Sequence, residues 1–292
     1  MKKSLIGKDK ILRTNRNKNR KVQRIHSKNA TYQKFEVLQT NRNKRHRYKE
    51  FIIEGVRNIN EAIKNNWEIV SFVYSFEENL SRWAIDTINV HKTKTNYELP
   101  NTLMRELSGK ENTSELLAIL KMKENEGNYT RFSSNPIIAL FDRPSNKGNL
   151  GTLLRSCDAF GVEQLIVTGH AIDIYEPDVI SASMGSFFRV PFVRLSDKVA
   201  IEKYMSELRQ NYPSLQVIGA ESNTGKNLYQ VDLTTPILFL IGNEADGLNR
   251  YYLEISDTLV TIPMDKKSSA TSFNVSCAAT VLLYEAIRQR SM

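Results

Sequence analysis

"NKGNLGTLLRSCDAFG", residues 146–161, stands just past the apolar run "PIIALF" (136–141). Its reading decides what kind of α/β protein this is. A phosphate-binding loop of the Walker type needs G-x-x-x-x-G-K-[ST], and a dinucleotide loop needs G-x-G-x-x-G at a strand-to-helix turn. Residues 148–151 supply only Gly-x-x-Gly, so neither template is met. The stretch reads instead as an amphipathic helix. Asn149 is placed to cap it, Leu150, Leu153, Leu154, Cys157 and Phe160 form its apolar stripe, and Gly161 is placed to end it in a left-handed conformation. At 100° per residue Arg155 lies about 140° from Leu150, off the stripe and free to face solvent or a ligand.

Downstream, "PIIALF", "EQLIVTG" (163–169), "LQVIGA" (215–220), "PILFLIG" (236–242) and "TLVTIPM" (258–264) are short and almost wholly apolar. Strands buried on both faces have this character, so they predict a parallel sheet with helices on both faces. Helical patterns lie between them, including "SDKVAIEKYMSELRQNY" (196–212) and "NVSCAATVLLYEAIRQR" (274–290). Loops leaving the carboxyl ends of such strands share one edge, where ligands bind. Three of them are unusual in polarity: "DRPSNKGN", "GNEADG" and "MDKKSSATS". Glu244 sits between Gly242 and Gly247 in the second, and Ser272 and Asn274 stand at the start of the last helix.

Upstream, the chain reads as a smaller α/β unit. "FIIEGVRNINEAIKNN" (51–66) places Ile53, Val56, Ile59 and Ile63 at helical spacing, "EIVSFVYS" and "ELLAILKM" look like strands, and "NTLMRELSG" looks helical. The expected division is a basic flexible arm over 1–28, a small domain over 29–124, a linker over 125–135 within the polar run "KENEGNYTRFSSNP", and a larger domain over 136–292.

Charge is confined to one end. The chain of 292 residues carries a formal +9, yet residues 1–50 hold 17 Lys and Arg against three Asp and Glu, while the remainder holds 24 against 29. Two clusters make the difference, "RTNRNKNRKVQR" (13–24) and "NRNKRHRYK" (41–49). Such segments suit a phosphate backbone, so nucleic acid is the expected partner. The two cysteines, Cys157 and Cys277, read as small buried apolar groups, and with His26, His46, His91 and His170 they make no metal-ligand spacing, so no metal is expected. No stretch approaches the roughly 18 apolar residues of a membrane span, and residues 1–30 lack a signal peptide's apolar core; a cytoplasmic protein is expected.

Taken in order, Asn149-x-Gly151-x-x-x-Arg155, Gly242-x-Glu244-x-x-Gly247, and Ile262-Pro263-Met264 leading into Ser272-Phe273-Asn274 resemble the SpoU family of RNA ribose methyltransferases, within the knotted methyltransferase superfamily. The likeness spans roughly 136–290. The segments "FIIEGVRNINEAI" and "LMRELSGKENTSELLAIL" look like the ribosomal-protein-like RNA-binding domain that many members carry ahead of the catalytic one. Phe273 stands where members usually have Leu, and the loop "DKKSSATS" is longer than usual and lacks Gly.

The resemblance implies transfer of the methyl of S-adenosylmethionine to a ribose 2′-hydroxyl of structured RNA, most simply rRNA. Methylation of tRNA, or a non-catalytic role in RNA binding or ribosome assembly on the same fold, are the alternatives. It further implies a homodimer and a C-terminal trefoil knot. Arg155 becomes the residue nearest the nucleophilic hydroxyl, Asn149 the group that orients Arg155 or the nucleotide, and Glu244, Ser272 and Asn274 the polar network around the ribose. Backbone groups near Gly242, Ile262 and Phe273 would bind the cofactor. A guanidinium stays protonated in proteins, so orienting phosphate and hydroxyl, or stabilising the alkoxide, suits Arg155 at least as well as proton abstraction.

Overall fold

The computed structural model describes residues 21–109, 112–123, 132–222 and 225–291. The chain divides into two compact units, one built from residues up to Ile59 with Glu68–Lys121, the other from Asn60–Trp67 and Met122 onward.

The first unit runs β1 (Lys21–Arg24), α1 (Ala30–Thr40), α2 (Arg42–Tyr48), β2 (Glu50–Glu54), the start of α3 (Val56–Lys64, which passes into the second unit at Asn60), β3 (Ile69–Ser75), α4 (Arg82–Val90), β4 (Thr95–Leu99), α5 (Asn101–Ser108) and β5 (Leu116–Lys121). Its sheet has the order β1-β4-β3-β5-β2, with β5 antiparallel to both neighbours. Tyr32, Phe35 and Leu38 from α1 close over Ile52, Val73 and Ile119 of the sheet. Two expectations change here. The helix drawn over 51–66 is a strand followed by a shorter helix, because Gly55 at φ +89° breaks the chain between them. The arm drawn to residue 28 is folded in its last part: Lys21–Arg24 pairs with Thr95–Glu98, and Ile25 is buried. Residues 1–20, and most of the expected 125–135 linker, lie outside the described residues.

The basic run 41–49 is also divided in its uses. Arg45 is fully buried, and its Nη1 donates to the carbonyls of Leu38 and Gln39 at 3.1 Å, tying α2 to the end of α1. His46, Arg47 and Lys49 remain exposed.

The second unit continues with β6 (Ile137–Asp142), α6 (Lys147–Ala159), β7 (Gln164–Thr168), α7 (Pro177–Ala182), β8 (Phe192–Leu195), α8 (Lys198–Asn211), β9 (Gln216–Ala220), β10 (Lys226–Asn227), β11 (Ile237–Ile241), α9 (Arg250–Ile255), β12 (Thr258–Thr261) and α10 (Val275–Arg290). Every pairing in its seven-stranded sheet, order β10-β12-β9-β11-β6-β7-β8, is parallel. Alternation along the strands sends Ile138, Leu140, Leu238 and Leu240 to the face covered by α8 and α9, while α6 and α10 pack together and α10 meets β11. The five expected strands are all present. The sheet adds β8, which is only half-buried, and the two-residue β10, neither of which carries an unbroken apolar run.

Chain order reverses between β6 and β11. From β6 the chain steps out to β7 and β8; β9 and β12 lie on the other side of β11. At such a switch point the loops at the carboxyl ends part and leave a crevice.

Candidate active site

Helix α6 begins earlier than its sequence suggests. Asn146, not Asn149, is the N-cap: its Oδ1 accepts from the Asn149 backbone N–H at 3.0 Å. Gly161 follows the helix at φ +65°, in the left-handed conformation expected of it. Because Asn146 does the capping, the side chain of Asn149 is released into the crevice. Its Oδ1 accepts from Asn274 Nδ2 at 3.0 Å, and its Nδ2 donates to Glu244 Oε1 at 3.3 Å. Asn274 also caps α10, accepting from the N–H groups of Ser276 and Cys277. Gly151 touches no ligand space: a Cβ there would lie 2.5 Å from Ala182 Cβ and 2.7 Å from the Val179 carbonyl, so it is the contact point of α6 on α7.

Glu244 acts as a clasp between the loops after β6 and β11. Oε2 accepts from the backbone N–H and hydroxyl of Ser145 at 3.0 and 2.8 Å, and Oε1 from the N–H of Asn146 at 3.1 Å. Burial pushes its carboxyl up, but these hydrogen bonds outweigh that and hold it below its ordinary value. Its loop is a tight turn, with the Asn243 N–H bonded to the Gly247 carbonyl at 2.9 Å and the reverse bond at 3.1 Å. Only glycine fits at 242, where a Cβ would come within 2.3 Å of the Gly247 carbonyl carbon, and Gly247 is at φ +68°.

Beside the clasp opens a cavity of about 270 Å³. Gly242, Ile262, Ser272 and Phe273 line it, as does Glu244 from the edge of the clasp. One wall is apolar, built from Ile262, Met264, Phe273, Val275 and Leu282; the other is backbone of the 241–247 turn with the carboxylates of Glu221 and Asp246. Among the described lining residues there is no Lys, Arg or His. An adenine ring suits the apolar wall, and a cationic sulfonium suits an acidic, phosphate-free pocket, so the residues fit S-adenosylmethionine.

Two expectations are revised, those for Ser272 and Cys277. Ser272 is exposed at the cavity and is absent from the Asn149 cluster; Ser276 stands there in its place, buried, with its Oγ 2.7 Å from Asn274 Oδ1 and 3.4 Å from Asn149 Oδ1. Cys157 is buried as expected, and burial raises its thiol pKa, whereas Cys277 is exposed on the first turn of α10. Arg155 is exposed on α6, lines no part of the cavity, and has no hydrogen bond or ion pair among the described residues. Six residues beyond Asn149, it is about 9 Å further along the helix. No group of three or more His, Cys, Asp and Glu among the described residues could hold a metal, and none of their helices is long and apolar enough to cross a membrane.

A parallel-sheet crevice thus joins a clasped Asn–Glu–Asn cluster to a pocket whose residues fit S-adenosylmethionine, as a methyltransferase site requires. Comparison with known proteins agrees: the chain belongs to the SpoU rRNA methylase family, whose model matches residues 136–284, and carries the SpoU L30e-like domain over residues 29–118. It is 34% identical over 92% of its length, and 93% of the relative's, to the 23S rRNA (uridine(2479)-2′-O)-methyltransferase of Streptomyces viridochromogenes. The crystal structure of the SpoU methyltransferase AviRb from Streptomyces viridochromogenes in complex with AdoMet superposes with a TM-score of 0.84 at 35% identity, covering 90% of this chain and 99% of that one. A further relative is the 23S rRNA (guanosine-2′-O-)-methyltransferase RlmB of Pasteurella multocida, 27% identical over 82% of this chain and 98% of its own. The protein is thus an enzyme that methylates rRNA ribose 2′-hydroxyls with S-adenosylmethionine as donor.

Proposed function

We propose that this enzyme modifies a nucleotide of 23S rRNA in the cytoplasm, with the Asn149–Glu244–Asn274 cluster as the wall that receives the target ribose. The observation that carries the reading is the position of that cluster, on the edge of the nucleoside cavity. Near-full-length likeness to a 23S rRNA 2′-O-methyltransferase supports the choice of RNA. In this reading Gly242, Ile262 and Phe273 hold the cofactor, which supplies the methyl group. Asn149 and Asn274 fix the ribose, Ser272 closes the cavity mouth, and Arg155 meets the target phosphate or the developing alkoxide. Exposed His46, Arg47 and Lys49 of the first unit contribute phosphate contacts. The test is transfer of labelled methyl to 23S rRNA, 16S rRNA and tRNA from a host lacking the gene, followed by mapping. Label confined to tRNA, or none in any RNA, refutes the proposal, as does transfer that survives a 2′-deoxy substitution at the mapped site.

The working form in this proposal is a homodimer with a C-terminal knot. The dimer is supported by α10, which buries Ala279, Leu282, Leu283 and Ala286 yet leaves Val281 and Tyr284 exposed beside Phe160 of α6. Two apolar faces on one helix call for two partners. The knot is supported by β9 and β10, which pair with β12 on its two sides, with the Glu221 N–H on the Val260 carbonyl and Thr261 Oγ1 donating to the Ser222 carbonyl. Val281→Glu is expected to convert the dimer to a monomer in sedimentation equilibrium while the far-ultraviolet circular dichroism stays unchanged; a dimer that survives the substitution rules this face out.

A further inference from the structure

We propose that Arg143 is a positioning residue that holds the 242–248 turn in its cofactor-binding shape. The inference rests on the reading of the adjoining cavity as the cofactor site. Arg143 directly follows β6 and takes φ +48°, a left-handed conformation that glycine adopts freely and an L side chain only at a cost. A second concession faces it across the sheet edge. Gly169, after β7, is also left-handed at φ +65°, and a Cβ there would lie 2.6 Å from Arg143 Cγ. Two backbone positions are therefore shaped around one arginine side chain.

What that side chain reaches is the turn. Its Nε donates to Asp142 Oδ2 at 3.0 Å, its Nη2 lies 3.5 Å from the Gly247 carbonyl, and its Nη1 is 3.6 Å from Asp246 Oδ2. From the opposite direction Asn243 Nδ2 donates to the Arg143 carbonyl at 2.7 Å. Asp246 and Gly247 line the cavity, and Arg143 does not. The two guanidinium contacts to the turn are long, so each is weak by itself. They matter because they act on a turn that glycines leave pliable. Asp142, nearly fully buried, does not depend on Arg143 alone: it also accepts from Thr168 Oγ1 at 3.2 Å and Asn249 Nδ2 at 3.1 Å. Neutralising that carboxylate would not require an arginine in a strained conformation, whereas spanning from it to the turn requires a forked cation.

The test is calorimetric titration of S-adenosylmethionine and of S-adenosylhomocysteine into the full chain and its Arg143→Gly and Arg143→Lys variants, with thermal unfolding alongside. Glycine suits the left-handed backbone, so Arg143→Gly should unfold no earlier than the parent. Loss of one net hydrogen-bonding group should raise Kd for both ligands alike, by about fivefold. Lysine keeps a cation beside Asp142 but has no fork to reach the turn, so it should show most of the same weakening with the fold retained. Unchanged affinities in both variants overturn the proposal, as does a lower unfolding temperature with unchanged affinity, which marks a merely structural residue. Weakening of S-adenosylmethionine alone also overturns it, by assigning Arg143 to ligand charge. If the parent chain binds neither ligand, the cavity assignment falls and this inference with it; if the parent binds and the variants match it, only the role of Arg143 falls.

Discussion

Arg155→Ala is expected to lower single-turnover methyl transfer to 23S rRNA by about 10²- to 10³-fold, the scale set by removing one group that stabilises a developing oxyanion. Cofactor affinity should stay within about twofold, since the side chain lines no part of the cavity. The fold should be indifferent to the change, because Arg155 is exposed and bonds to nothing among the described residues. An exposed arginine with no structural partner is free to meet RNA. Arg155→Lys separates charge from geometry. If the residue stabilises an alkoxide or grips a phosphate, lysine should recover part of the rate; a role that depends on the planar fork leaves lysine as poor as alanine. Turnover by Arg155→Ala within threefold of the parent would remove Arg155 from the reaction.

The second large effect belongs to Glu244→Gln. Ser145 N–H, Ser145 Oγ, Asn146 N–H and Asn149 Nδ2 all point donors at this carboxylate. A glutamine turns an NH₂ toward at least one of those sets and leaves donors facing a donor. At a half-exposed position this should cost about 1–2 kcal/mol of stability, and it should lower turnover further, about 100-fold, by letting Asn149 drift from the ribose position. The pH dependence has a definite sign. A carboxylate whose folded-state pKa is depressed contributes fully above its unfolded value and loses that contribution as pH falls through the lower folded one. The gap in unfolding temperature between parent and Glu244→Gln should therefore be level above about pH 5 and narrow only below the ordinary glutamate value of 4.5. A gap that closes instead on going to alkaline pH would contradict the clasp.

Much of the second unit is legible because strands buried on both faces leave unbroken apolar runs; β6, β7 and β11 are buried throughout and β9 along its middle, while β12 shows its run with only Val260 buried. β8 and β10 carry no such run. β8 alternates in burial at one edge of the sheet, and β10 is too short to have a pattern at the other. In the first unit the run 51–66 misleads because Ile53 of the strand falls at helical spacing with Val56, Ile59 and Ile63 of α3, although Gly55 is a visible break. Site residues were legible as types and less so as partners. Asn146 and Asn149 are equally able to cap a helix, and only the length of the loop after β6 decides between them. Ser276, the second residue of α10, looks in the sequence like an ordinary helix-start serine; its place in the cluster comes from the neighbouring Asn149, 127 residues away in the chain. Glu244 stands out in the sequence between its two glycines, but that its donors come from the facing loop, at Ser145 and Asn146, and from Asn149 of α6 depends on tertiary approach.

In the proposed reading, the six residues after β11 carry both the cofactor contact at Gly242 and the clasp that holds Asn149, at Glu244. The two sites share one strand end and cannot be altered independently. A change in this turn that admits a different ribose geometry also disturbs the cofactor, so drift here is punished twice. In the proposed reading, retargeting such an enzyme to another nucleotide falls instead to the basic surface of the first unit, where a change at His46, Arg47 or Lys49 alters the RNA contacts and leaves the cofactor turn as it is.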